Sequence, residues 1–210
     1  MKILLRNFLA LVALSIGFGA QAQTYCTTGL YSNGCSLGDD LDNVSIGTFS
    51  QTATGCPSGN VGYSAYLSDT IYVEQTASQG ISITSNFSSQ WYAIWIDFNN
   101  DGDFADAGEH IWSSTVSGNS ATGSFALPTT AALGAHRMRV RGKYAGTALL
   151  ATESCTSFSY GEVHDYTVKV LVPPACPSPM AVTLASVTAT TANFSWTSAG
   201  TAFNIEYGAA

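Results

Sequence analysis

The chain has 210 residues, with seven Lys and Arg against fourteen Asp and Glu and a formal net charge of −7. That acidity excludes nucleic acid as a partner, because neutralising phosphates needs a basic surface. Only 10% of the residues are charged, while Ser, Thr, Gly and aromatics abound, a mix that favours strands and turns over helices.

Lys2 and Arg6 precede an apolar run from Phe8 to Phe18, and Ala20-Gln21-Ala22 follows as a small-x-small cleavage site. Residues 1–22 therefore read as a secretory signal peptide, with Gln23 as the mature start. The run is too short to span a bilayer, so no membrane insertion is expected after cleavage. The mature chain keeps five basic residues, Arg137, Arg139, Arg141, Lys143 and Lys169. Of five cysteines, Cys26, Cys35, Cys56 and Cys155 are read as disulfide partners in an exported protein, and Cys176, beyond the Pro-Pro boundary, has no obvious mate. No C-x-x-C pair supports zinc. The first four lie in the main domain and allow three connectivities.

Thr24 to Gly62 is rich in turns, with short apolar patches such as Val44-Ser45-Ile46. Thr70 to Glu74 and Gly80 to Thr84 alternate as strands do. Trp91 to Asp97 is apolar on both faces and reads as a central buried strand. It runs into the acidic stretch Asp97-Phe98-Asn99-Asn100-Asp101-Gly102-Asp103, which continues to Glu109. Oxygen-bearing side chains recur there at alternate positions, Asp97, Asn99, Asp101 and Asp103, and Gly102 permits the turn that lets them converge. This is the logic of an oxygen-ligand Ca2+ loop, with Glu109 as the completing carboxylate. The acid falls one residue later than in an EF-hand and the flanks are strands, so an EF-hand is not expected. The alternative is a solvated acidic turn, in which like charges stay crowded without a cation.

From Arg137 to Tyr144, the four basic residues fall on alternate positions, so all four point from one strand face, and Met138, Val140 and Tyr144 point from the other. That face is either an anion or acidic-glycan surface, or it pairs internally with Glu162, Asp165 or the acidic loop. Charge balance favours internal pairing, with Glu162, Asp165, Arg139 and Arg141 as a supporting acid–base group. Tyr63, Tyr66, Trp91, Tyr92, Trp95 and Trp112 are either core or a sugar-stacking surface, and their apolar strand contexts favour core. Asp165 to Val170 is the last strand of a domain spanning residues 23–171, an all-β fold of the β-sandwich class. Val172-Pro173-Pro174 opens a linker at residues 172–175, and 176–210 begins a second module. H-E-x-x-H and G-x-S-x-G are absent, and His110, His136 and His164 are isolated, so no enzyme is expected.

Trp95 to Phe104, Gly108-Glu109, Arg137 to Val140, and Tyr160-Gly161-Glu162-Val163-His164-Asp165-Tyr166 together resemble the GEVED domain, a module of exported proteins of Bacteroidota. The resemblance covers Tyr25 to Leu171 and departs at His164, where the family usually has Glu. It implies a Cys26–Cys155 bridge, which leaves Cys35 to pair with Cys56. Thr190 to Trp196 and Phe203 to Tyr207 look like strands of a truncated fibronectin type III module. The expectation is a non-catalytic, secreted or cell-surface binding or adhesion module stabilised by Ca2+, with a glycan or extracellular protein as ligand. The alternative is an accessory domain of an exported peptidase or other hydrolase. Relatives of this architecture carry adhesive modules, peptidase domains or a sorting signal for type IX secretion.

Overall fold

The computed structural model describes residues 24–56, 62–174 and 180–198. The expected signal peptide, Cys176 and the strand at Phe203 to Tyr207 lie outside the described residues. Ten strands precede the linker: β1 (Tyr31–Gly34), β2 (Asn43–Ile46), β3 (Phe49–Gln51), β4 (Tyr63–Glu74), β5 (Gln79–Thr84), β6 (Gln90–Asp97), β7 (His110–Ser113), β8 (Ser120–Phe125), β9 (Gly134–Tyr144) and β10 (Phe158–Leu171). The helical content of the described residues is one 3-10 turn, Ala151–Glu153. None of their helices is long and apolar enough to cross a membrane. The all-β expectation holds.

The strands form two sheets. The smaller runs β3-β2-β5-β8, antiparallel throughout. The larger runs β1-β10-β9-β6-β7, with β4 also paired to β10. Along one edge of β10 lies β9, antiparallel, with Asp165 opposite Arg139 and Val163 opposite Arg141. The other edge is shared by two parallel partners, β1 against Phe158 and Tyr160 and β4 from Val163 to Leu171. The predicted last strand is thus longer than its alternating part, because its first residues pair with the N-terminal segment.

Val44, Ile46, Ile81, Ile83 and Phe125 of the small sheet pack on Ile71, Val73, Ile94, Ile96, Met138, Val140 and Val168 of the large one. These β-branched and long apolar residues fall at every second position, which places them on the inner faces. β6 is buried on both sides as expected: Tyr92 and Ile94 face the small sheet, while Ala93 and Trp95 join Phe104 and Leu149 in a separate outer cluster. The larger sheet therefore has two covered faces. Its outer cover is a strap made of the segment from Tyr25 to Tyr31, Phe104 of the acidic loop, and the stretch from Leu149 to Phe158.

Gly161 shows how tightly the strap lies. It has φ +139°, and a Cβ there would stand 2.2 Å from the Gly142 carbonyl oxygen and 2.6 Å from Tyr31. Only glycine fits that backbone and that gap. Beyond the linker, β11 (Met180–Val187) and β12 (Ala192–Thr197) form an antiparallel hairpin.

Candidate functional site

Two disulfides close, Cys26–Cys155 and Cys35–Cys56, the pairing the resemblance implies. The first staples the two halves of the strap across the outer face. Beneath it lies the basic ladder of β9. Internal pairing with Asp165 is seen at Arg139 and, more weakly, at Arg137, but not at Arg141. Arg139 and Arg141 are both fully buried. Asp165 takes Arg139 in a two-pronged bond, Nε to Oδ1 at 2.8 Å and Nη2 to Oδ2 at 2.9 Å. Arg139 also donates to the Cys26 carbonyl at 2.8 Å and the Ser154 carbonyl at 3.1 Å, and its guanidinium lies over the Phe104 ring at 4.8 Å. The fork geometry of arginine matches these acceptors.

Among the described residues Arg141 has no carboxylate partner. Its Nε donates to the Tyr31 hydroxyl at 2.9 Å, and its terminal nitrogens donate to the carbonyls of Leu30, Glu153 and Thr156. A buried cation is held here by neutral oxygens and by the faces of Tyr31 and Phe158, at 4.9 and 4.7 Å. Burial pushes the Tyr31 phenol well above its ordinary range. Lys143 ends the ladder and pairs with Glu153 at 3.2 Å. Arg137, at the opposite end, is the one partly open rung: its Nη1 shares Asp165 at 3.3 Å, with 20% of its side chain exposed.

Glu162 does not join this group. Alternation puts it on the inner face with His164 and Tyr166, away from the arginines. Its carboxylate accepts from the Leu41 amide at 2.9 Å and the Ser64 hydroxyl at 3.1 Å, and faces His164 Nε2 at 3.2 Å. His164 Nδ1 lies 3.0 Å from the Tyr166 hydroxyl, which donates to Gln51. The departure from the family motif thus falls in a buried Glu–His–Tyr row along one strand face.

The acidic loop joins β6 to β7 at the ladder's Arg137 end. Asp97 and Glu109 point inward and are almost fully buried. Asp97 accepts from the Asn100 amide at 2.6 Å, the Gly102 amide at 3.1 Å and the Tyr25 hydroxyl at 2.5 Å. Glu109 accepts from the amides of Phe98 and Asp106, at 3.1 and 3.2 Å. Burial, aided by the charges of Asp97 and Asp106, pushes the Glu109 carboxyl up to about 7. The Tyr25 phenol is also raised, by burial and by its bond to Asp97.

Asp101 is exposed and Asp103 half-buried, and they cap amides two residues on, at 3.2 and 2.7 Å. The Asn99 side-chain amide sits between Asp101 and Asp106, at 3.1 and 2.5 Å. The structure therefore splits the expected ligand set into a buried inner pair, Asp97 and Glu109, and a more open outer group, Asn99, Asp101 and Asp103. Asp106, which lies off the alternate positions, joins the outer group. Among the described residues no three His, Cys, Asp or Glu side chains converge as a metal centre would require. The donor set is nevertheless all oxygen, the chemistry calcium takes and zinc does not.

The aromatics divide. Tyr92 and Trp95 are core, as expected. The exposed rings cluster elsewhere: Phe87 and Tyr144 are 40% and 41% exposed and meet edge to face at 5.4 Å, with Tyr160 at 6.2 Å from Tyr144. Tyr144 pairs with Gln90, the first residue of β6, so this cluster lies at the end of the sheet away from the acidic loop. Sequence alternation hid it, because the three rings share no continuous motif.

Asp39, Asp40 and Gln90 are buried polar residues that the sequence did not single out. Asp39 accepts from the Gln90 amide at 2.6 Å, and burial raises its carboxyl. Asp40 caps the Asn86 amide at 3.0 Å. No curated protein matches the chain. Residues 91–169, from β6 through the acidic loop and the ladder to β10, match the family model of the GEVED domain.

Proposed function

We propose that this chain is a non-catalytic binding or adhesion module of a secreted or cell-surface bacterial protein, stabilised by Ca2+ in the loop from Asp97 to Glu109. The observation that carries the calcium reading is the inner pair. Two buried carboxylates face the loop with no cationic side chain bonded to either, and one of them is held in its acid form up to about pH 7. A divalent cation removes that repulsion and favours the ionised form. Asp97, Asn99, Asp101, Asp103 and Glu109 would hold the ion, with Asp106 as a further oxygen donor. The ion would supply charge neutralisation and a rigid loop. Extracellular calcium modules bind at about 0.1 to 1 mM, so such an ion is a structural part outside the cell.

The two disulfides support an oxidising compartment. The match to the GEVED family supports an accessory extracellular role. The test is thermal unfolding of the full chain in calcium and in chelator. Calcium at a hundredfold its dissociation constant adds about 2.7 kcal/mol if it binds only the native state. The gain disappears in Asp101→Ala. An unfolding temperature that millimolar calcium leaves unmoved refutes the ion and leaves the loop an ordinary acidic turn.

A further inference from the structure

We propose that the cavity between the acidic loop and the open end of the ladder is a subsite for a carboxylate-bearing sugar, with Arg137 as its anchor. The inference rests on the binding-module reading and names the ligand class. The cavity is a shallow, open depression of about 250 Å³, and Tyr25, Leu67, Asn100, Ala135, His136, Arg137 and Thr167 line it.

Charge is the first argument. The outer face carries Arg137, Arg139, Arg141 and Lys143, and the acids bonded to them are Asp165 and Glu153. The acidic loop that meets this end adds Asp97, which bonds the Tyr25 hydroxyl, and Asp101, Asp103, Asp106 and Glu109. Arg139 holds Asp165 with two nitrogens, so Arg137 is left with a single longer contact to it. Of the three arginines on this face, Arg137 alone is exposed to solvent, so it is the guanidinium within reach of a ligand.

Geometry is the second. The bond to Asp165 uses Nη1, and the Nε–Nη2 edge of Arg137 has no acceptor among the described residues. That edge is the fork that takes a carboxylate through two parallel N–H···O bonds. Tyr25 stacks on the guanidinium at 4.3 Å and holds the plane of the fork. Leu67 is 41% exposed and, with Ala135, gives an apolar wall for the C–H face of a pyranose. Asn100 uses its side-chain oxygen toward His136 at 3.2 Å, which leaves its amide N–H groups to donate to ring hydroxyls. The Thr167 hydroxyl donates to the Leu67 carbonyl at 2.8 Å and can accept in turn. An apolar wall, one cation and a few neutral polar groups suit an acidic sugar better than a neutral one.

The test titrates the full chain with digalacturonate, with neutral digalactose, and with a short peptide bearing a free C-terminal carboxylate. NMR reads the Arg137 Nε–H resonance, and each titration is run in calcium and again in chelator. Digalacturonate is expected to bind and to shift that resonance, and digalactose is not. Arg137→Gln weakens binding by about tenfold or more. Ala135→Glu, at an exposed position opposite Lys169, adds a like charge at the mouth and weakens binding with an unchanged unfolding temperature. Uronate binding that survives in chelator supports the subsite even where the loop takes no ion. Equal binding by Arg137→Gln, equal binding of digalactose, tighter binding of the peptide, or no uronate binding at millimolar concentrations overturns the proposal.

Discussion

Asp165→Asn tests how the outer face is held together. The substitution keeps size and one acceptor oxygen and removes the only carboxylate bonded to Arg139. Breaking a buried ion pair by neutralising one partner costs about 3–5 kcal/mol, because a charge is left in a dry site. Two carbonyls, of Cys26 and Ser154, still accept from Arg139, at 2.8 and 3.1 Å. The expected loss is therefore at the lower end, about 3 kcal/mol. For a domain of this size that is a fall in unfolding temperature of about 6–12 °C. Urea denaturation at pH 7, followed by circular dichroism, reads it as a lower midpoint at constant slope. The double variant Arg139→Met with Asp165→Leu removes both charges together and recovers most of the loss. A loss below about 1 kcal/mol in the single variant, or a double variant no better than the single, refutes the account of Asp165 as the keystone of the ladder.

Removing the Cys26–Cys155 bridge by paired Ser substitutions costs about 5 kcal/mol and removing Cys35–Cys56 about 3, since the separations closed are 129 and 21 residues. A reversed order in denaturation refutes the loop-closure reasoning. Glu109 gives a pH signature in chelator. Its folded-state carboxyl is raised to about 7 from an ordinary 4.5, so its stabilising contribution is full below about 4.5 and is lost as pH rises through 7. Glu109→Gln flattens the stability profile across that window, and a slope unchanged by the substitution sinks the assignment. With calcium present, the metal's stabilising effect grows over the same window, because the ion competes with the proton. Gly161→Ala is expected to destabilise by more than about 2 kcal/mol, from positive φ and a backbone clash together. A folded variant of unchanged midpoint shows that β9 and β10 have room to part.

The sequence made some of this legible and hid the rest for physical reasons. Alternation is a local property, so the ladder of β9 and the two-sided burial of β6 could be read from single stretches. Partner choice is set by register between distant strands, which no local pattern carries. Asp165 meets Arg139 because β9 and β10 pair at that register, while Glu162, three residues earlier, is turned to the inner face. The covering strap was equally hidden. Tyr25 and Tyr31 fall in a turn-rich segment without alternation, yet they stack on arginines 112 and 110 residues away, Arg137 and Arg141. In the acidic loop the alternate oxygens were visible. Asp106 was not, because a turn brings it to Asn99 from outside the alternating set.

β10 is the spine of the larger sheet, bonded to β9 on one side and to β1 and β4 on the other. It is also the last strand of that sheet to be made. Its parallel partner β4 starts at Tyr63, which pairs with Val163, so that edge closes a span of a hundred residues. A chain emerging residue by residue, from a ribosome or through a narrow translocation pore, cannot complete this sheet until residue 171 is out. Such non-local closure makes folding slow and late. Until then β9 carries four cations with no Asp165 opposite them, and the N-terminal strap has no ladder to cover. The same strand that makes the finished domain rigid keeps its unfinished chain open, a property suited to a polypeptide that is threaded first and folded afterwards.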